Sequence, residues 1–191
     1  LPQSDGNEWS LRLCRVPQAW AHSQQTPGAA AFGEGIVIGH PDTGYTAHPE
    51  IAEPQRLLIA ESYDFLAGRP GALDPLGGSN PGHGTSTASV IMSDIGGAPP
   101  GTLPFVSGAA PKAKLAPLRV NDSVVHFSYA NLCRALYRCV ERGYHVVSMS
   151  LGGPCGSSTL HRAVQSAVDE GLVLLAATGN HWPAVVYPAK F

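Results

Sequence analysis

Between residues 113 and 177 the chain alternates short apolar runs with longer stretches of helical period, and this alternation narrows what it can fold into. Residues 113–120 read as a strand, and Phe127, Ala130, Cys133, Leu136, Tyr137 and Val140 then share one helical face that stops at Gly143. Residues 145–150 give another strand. Residues 158–170 give another amphipathic helix, with Leu160, Ala163, Val164, Ala167 and Val168 on its apolar side and Gly171 at its end, and residues 172–177 a further apolar strand. Strand, helix and strand in succession predict an α/β fold, a parallel sheet with helices on both faces.

The N-terminal half carries the same signals more sparsely. Residues 35–39 read as a buried strand closed by a turn over residues 40–44, which sets Asp42 at the strand's carboxyl end. Residues 57–65 suggest a weaker strand, and the Gly-, Pro- and Asn-rich stretch that runs to Gly82 reads as a polar, exposed loop. A helix is expected from His83 to about residue 93, because Ala88, Ile91 and Met92 recur at helical spacing before the run Gly96-Gly97-Ala98-Pro99-Pro100 ends it.

Composition removes several classes of function. The 22 glycines and 17 prolines are spread between apolar runs without a repeat, so collagen-like and disordered chains are excluded. A net charge of −2, with nine arginines and three lysines scattered along 191 residues, offers no surface to nucleic acid or an anionic membrane. No apolar run approaches the roughly 18–20 residues that cross a bilayer. The four cysteines (Cys14, Cys133, Cys139, Cys155) form no C-x-x-C pair. Cys133 and Cys139 on one helix would stand roughly 9 Å apart, beyond disulfide reach, so buried free thiols are expected. The chain opens without methionine or a leader, as a processed chain or an excerpt would. It reads as one domain over residues 1–191.

In parallel α/β sheets functional groups collect at the carboxyl ends of strands. Asp42, His83 in Gly82-His83-Gly84-Thr85, and Asn180 in Thr178-Gly179-Asn180 all fall at such places. A carboxylate can fix one imidazole nitrogen as a donor so that the other accepts a proton, and a side-chain amide can bind the oxyanion of acyl transfer.

With Asp42-Thr43-Gly44, Gly82-His83-Gly84-Thr85 followed by Ala88, Ser148-Met149-Ser150-Leu151-Gly152-Gly153 and Ala176-Ala177-Thr178-Gly179-Asn180 in this order, the chain resembles the subtilisin-like serine proteases, or subtilases. The likeness continues to Tyr187-Pro188-Ala189. Asp-Thr-Gly alone is weak, since aspartic-protease halves share it; Gly-His-Gly-Thr is more specific, and the ordered set is strong. The resemblance implies peptide-bond hydrolysis, with Asp42 orienting, His83 as general base and then acid, and Asn180 as oxyanion donor. It implies an extended polypeptide substrate lying along Ser150, Leu151 and Gly152, with Val124 and Val125 on the opposite side. It also implies secretion, or a periplasmic location.

Departures from the family pattern carry expectations of their own. The family's nucleophilic serine lies in a Gly-Thr-Ser-x-Ala segment after the asparagine, and none occurs between Asn180 and Phe191. The chain is therefore expected to be a subtilase domain truncated before its C-terminal part, inactive alone, with a complementing C-terminal segment as a partner. Gly84-Thr85-Ser86-Thr87-Ala88 satisfies the serine pattern but overlaps the histidine motif, so Ser86 is out of chain order as a nucleophile. Val186, where the family commonly has glycine, points to small or medium side chains at the primary pocket. No cofactor is required. Calcium is common in the family, yet residues 95–107 lack an oxygen-rich run and Glu50 is a lone candidate ligand, so no metal site is assigned.

The remaining histidines lack ligand spacing and read as surface or hydrogen-bonded core residues. Cys155 is expected to pack. Two other functions stay open: a non-catalytic peptide-binding remnant of the same fold, and a nucleotide-binding doubly wound domain. The last is weakest, because Gly33-Glu34-Gly35 precedes its strand and no phosphate loop is present.

Overall fold

The computed structural model describes residues 9–48, 51, 56–93, 107–181 and 183–191. Two helices, α1 (Trp9–Leu13) and α2 (Val16–Gln25), precede the first strand, β1 (Val37–Asp42). Then follow β2 (Tyr63–Asp64), β3 (Arg69–Pro70), α3 (His83–Met92), β4 (Lys114–Arg119), α4 (Ala130–Glu141), β5 (Val146–Met149), α5 (Ser158–Asp169) and β6 (Val173–Ala176). The strands form one sheet in the order β3-β2-β4-β1-β5-β6, parallel throughout except for the antiparallel β2–β3 edge.

Both faces of the central strands are covered, as the apolar patterning requires, whereas Val173 and Leu175 of β6 are exposed on one face. On one face α4 and α5 bury Leu132, Leu136, Leu160, Ala163 and Ala167 against Ala116, Leu118, Val147 and Met149. On the other, Ala88 and Met92 of α3 pack with Tyr45, Ile51, Leu57, Ala72 and Leu115. Gly143 and Gly171 end α4 and α5 with φ of 62° and 88°, the left-handed turn glycine adopts without strain. Ser157 caps α5, its hydroxyl accepting from the Leu160 amide at 3.1 Å.

The structure corrects the reading of the first strand. His40, Pro41 and Asp42 are not a turn but the second half of β1, paired with Pro117, Leu118 and Arg119 of β4. Its pairing with β5, in contrast, stops at Ile38–Val146 and Gly39–Val147. Carbonyls alternate along β1: Val37 accepts from His145 on the β5 side, and Asp42 from Val120 on the β4 side. Pro41 therefore turns its missing N–H toward β5, and the ladder between these strands ends where the proline begins. A crevice opens there, beside Asp42. Pro117 of β4 lies likewise where the opposite ladder is interrupted, between the Leu57–Leu115 bridge and the Tyr63–Leu118 pair.

Other expectations shift in detail. The stretch 66–82 is not simply an exposed loop: it contains β3, buries Ala72 and Asp74, and bridges Leu73 to Tyr45. Phe127 precedes α4 and is 79% exposed rather than on its buried face, and Tyr137 is also exposed. Cys133 and Cys139 are free and buried, whereas Cys14 is exposed and Cys155 is exposed instead of packed. α1 and α2 were not legible because α2 buries no residue; Trp20 anchors it, its ring 5.3 Å from Phe32 and its N–H donating to the Ala109 carbonyl at 2.9 Å. Among the described residues no helix is long and apolar enough to cross a membrane.

Leu136, fully buried between α4 and the sheet, tests this packing. Leu136→Ala is expected to lower unfolding free energy by about 2–5 kcal/mol in a denaturant titration of the full chain. A loss under about 1 kcal/mol would show that α4 does not close the core.

Candidate active site

Asp42 ends β1 with its side chain only 1% exposed, so its carboxylate must be satisfied by the protein. The Thr43 amide donates to Oδ1 at 2.7 Å, and Thr87 on α3 donates to Oδ2 at 3.2 Å. His83, the first residue of α3, lies with Nδ1 2.8 Å from Oδ1. A carboxylate only accepts, so Nδ1 carries the hydrogen and Nε2 is left as the acceptor.

The electrostatics agree with that tautomer. Burial opposes ionisation of Asp42, yet the His83 hydrogen bond, the nearby His40 and His83 rings and the Thr43 amide together hold its pKa below the ordinary carboxylate value. The hydrogen bond to Asp42 raises the pKa of His83 above the ordinary imidazole value, and partial burial offsets this only in part. His83 keeps 28% of its side chain exposed, which leaves the ring reachable from solvent.

Sterics explain why Gly84 follows the histidine. A Cβ on Gly84 would collide with the Gly44 carbonyl oxygen and press on the Asp42 side chain, so only glycine lets α3 start this close to the end of β1. Polar bonds hold the same junction. Thr43 donates through Oγ1 to Asp74 at 2.8 Å and accepts from the Gly84 amide at 3.1 Å, while Asp74 accepts from the Gly82 amide at 2.8 Å. Thr85 accepts from the Thr46 amide at 2.8 Å.

The segment before His83 also carries the neighbouring edge. Asn80 accepts the His83 amide on its carbonyl at 3.3 Å and the Val124 amide on its side-chain oxygen at 3.0 Å. Arg119, buried at the end of β4, pairs with Asp64 at 2.7 Å and with Asp122, fixing the turn that leads into Val124. Val125 forms a parallel bridge with Gly152, whose amide donates to the Val124 carbonyl at 2.9 Å. Ser150, Leu151 and Gly152 continue directly from β5, with Leu151 and Gly152 buried and Val125 exposed.

Asn180 is exposed and follows β6 on the same carboxyl rim of the sheet. Val186 donates its amide to the Thr178 carbonyl at 3.0 Å, and its side chain occupies the space that a Cβ on Gly152 or Gly179 would need. Thus the structure joins Asp42 and His83 by a direct hydrogen bond, joins Gly152 to Val125 by a bridge and to Val124 by a hydrogen bond, and sets Val186 against Gly152. Asn180 shares their rim through the parallel order β1-β5-β6.

Three polar residues of this site escape the motif reading: His40, Asp74 and Thr87. Two carry a periodic signal. His40 lies two residues before Asp42 on a strand, and Thr87 four after His83 on a helix, so each shares a face with its partner. Ser86 is exposed on α3. Glu50 and all of residues 95–107 except Ser107 lie outside the described residues. Among the described residues no group of three or more His, Cys, Asp or Glu side chains gathers as a metal site.

Comparison with known proteins follows the same lines. The family described as "Subtilase family" matches residues 33–190. The thermostable alkaline protease of Halalkalibacterium halodurans is 32% identical over 177 residues, covering 91% of this chain and 44% of that protein. Subtilisin Savinase of Lederbergia lenta is 31% identical over 187 residues, covering 96% of this chain and 60% of that protein. The chain thus spans about half the length of such relatives. The crystal structure of MycP1 with the N-terminal propeptide removed shares the fold, with a TM-score of 0.66 at 22% identity over 95% of this chain and 54% of that one.

Linkage gives the site a pH signature. The raised His83 pKa contributes stability that is fully present below about pH 6.5 and lost as pH rises through the folded value. The lowered Asp42 pKa contributes stability present above about pH 4 and lost as pH falls through its folded value. In an NMR titration Asp42→Asn is expected to lower the His83 pKa and weaken both limbs; an unmoved His83 would mean that Asp42 does not govern it. This chain belongs to the subtilase family.

Proposed function

We propose that the chain forms the base-bearing part of a serine endopeptidase acting on extended polypeptides, and that it works in a secreted or periplasmic setting. One observation carries this reading: the 2.8 Å bond from His83 Nδ1 to the ionised Asp42, which leaves Nε2 as an acceptor on the rim shared by residues 150–152 and 180. Protease relatives across 91–96% of the chain support the same chemistry.

In the mechanism His83 Nε2 removes the proton of a serine hydroxyl as the oxygen attacks the scissile carbonyl. Asp42 holds the ring and stabilises the imidazolium without taking the proton. The Asn180 amide donates to the oxyanion, and His83 returns its proton to the departing amine. The substrate lies along Ser150, Leu151 and Gly152 with Val124 and Val125 flanking it, and pairs its main chain outside Gly152, whose amide and carbonyl already bond Val124 and His126. Val186, seated against Gly152 and Gly179, narrows the primary pocket to small or medium side chains.

The nucleophile belongs to sequence beyond Asn180, where the family order sets it, because the 191 residues hold no Gly-Thr-Ser-x-Ala segment there. On this reading the isolated 191-residue chain neither turns over peptide nor reacts with a serine-directed reagent. A segment carrying the serine restores both.

A biotinylated fluorophosphonate applied to native material, followed by intact mass, tests the reading. Label on the protein beyond residue 191 or on a companion fragment is expected, and His83→Ala should slow labelling by at least roughly 10²–10⁴-fold. Unlabelled native protein that still binds extended peptides would replace the peptidase reading with the binding-only one. Replacing Asn180 by Ala should lower kcat by the roughly 10²–10³-fold already known for the oxyanion asparagine of a subtilisin. Val186→Gly should extend cleavage to large aromatic side chains; an unchanged preference would remove Val186 from the pocket.

A further inference from the structure

We infer that His40 and Thr87 act as a positioning pair that holds the Asp42 carboxylate from the side opposite His83, resting on the peptidase reading above. His40 Nε2 lies 3.0 Å from Thr87 Oγ1, and Thr87 Oγ1 lies 3.2 Å from Asp42 Oδ2. The direct separation of His40 Nε2 and Asp42 Oδ2 is 3.8 Å, too long for a hydrogen bond, so the threonine hydroxyl is the link. His40 is 2% exposed, deep enough that its ring nitrogen needs a protein partner.

The chemistry of the three groups sets the direction of the chain. Thr87 has one hydroxyl hydrogen, and the carbonyls of His83 at 3.1 Å and Gly84 at 3.3 Å compete with the carboxylate for it. The ionised carboxylate is the strongest of these acceptors. With that hydrogen directed to Oδ2, Thr87 accepts, and His40 donates from Nε2–H. Burial keeps His40 neutral by lowering its pKa, against the pull of Asp42 and with the help of His83.

Such an arrangement does two things for His83. It fixes the carboxylate rotamer, since Oδ2 is held by α3 while Oδ1 faces the imidazole. It also draws negative charge toward Oδ2, so that Asp42 attracts a protonated His83 less strongly than an unassisted carboxylate would. The titratable groups around Asp42 are His40 on β1 itself, His83 on α3, His126 ahead of α4, whose charge couples to Asp42, and Asp74 beyond Thr43. Only His40 reaches the carboxylate through a hydroxyl on the helix that carries His83.

The test is an NMR titration of the His83 ring in the full chain, with the His40 tautomer read from ring ¹⁵N shifts. Thr87→Val keeps the volume and removes the hydroxyl; it is expected to raise the His83 pKa, while Thr87→Ser restores it. His40 should appear with hydrogen on Nε2, and His40→Gln, which keeps an N–H, should perturb His83 less than His40→Leu. In the serine-complemented enzyme Thr87→Val should lower kcat roughly tenfold at unchanged KM, the scale of one hydrogen bond to a charged group. A His83 pKa that is unmoved or lowered in a Thr87→Val protein with native circular dichroism overturns the proposal, as does His40 protonated on Nδ1 alone. The titration needs no nucleophile, so it can fail while fluorophosphonate labelling persists, and absent labelling overturns the peptidase reading without touching it.

Discussion

The carboxylate of Asp42 is the constraint around which this half of the molecule is organised. An ion buried at a strand end is strongly disfavoured unless donors surround it, and β1 can supply only the amide of Thr43 from its own continuation. The remaining donors come from the first turns of α3, through His83 and Thr87. Helix α3 must therefore begin against the end of β1, which forces glycine at position 84 and a tight polar junction through Thr43, Asp74 and Thr85. Electrostatic demand and steric allowance select the same arrangement, and the product is an imidazole held in one tautomer.

The sheet contributes by failing to pair beside Asp42. β1 stays paired with β4 up to Asp42, which anchors the carboxylate against the core, while Pro41 releases the β5 side two residues after the last paired position. Residues 150–153 leave β5 along their own course and find partners in Val124 and Tyr187. A functional crevice in a parallel sheet needs a rigid floor and an open rim. Here a single residue without an N–H divides one from the other, and the buried Arg119–Asp64 pair holds the adjoining turn in place.

Much of this was legible in the sequence because it depends on local pattern. Strands β4, β5 and β6 and helices α4 and α5 follow from apolar periodicity and from the glycines that end the helices. Asp42, His83 and Asn180 stand out because each ends, opens or follows an element at the sheet's carboxyl rim. What escaped depends on contacts distant in sequence. His40-Pro41-Asp42 has the composition of a turn, and only its six-residue register with β4 makes it strand. The exposed Phe127 fits a helical face by spacing, yet α4 begins three residues later. Helix α2 lacks a buried face and is held by one tryptophan. The roles of His40 and Thr87 become visible only when a strand face and a helix face are brought together.

On the proposed peptidase reading, the labour of an acyl transfer is divided between two stretches of chain. Asp42 and His83 occupy β1 and the start of α3, joined by a bond spanning 41 residues and independent of β6. Residues 150–152 and Asn180, the proposed substrate edge and oxyanion donor, follow β5 and β6, whose alignment is set by the β5–β6 register from Val146–Val173 to Met149–Ala176. In the strand order β1-β5-β6 the proposed substrate edge lies between the two. On that reading a peptide lying along residues 150–152 would have its carbonyl flanked by the imidazole on one side and the amide on the other. His83 is thus preorganised by burial of its partner, Asn180 by strand register, and the precision of each rests on a different set of bonds.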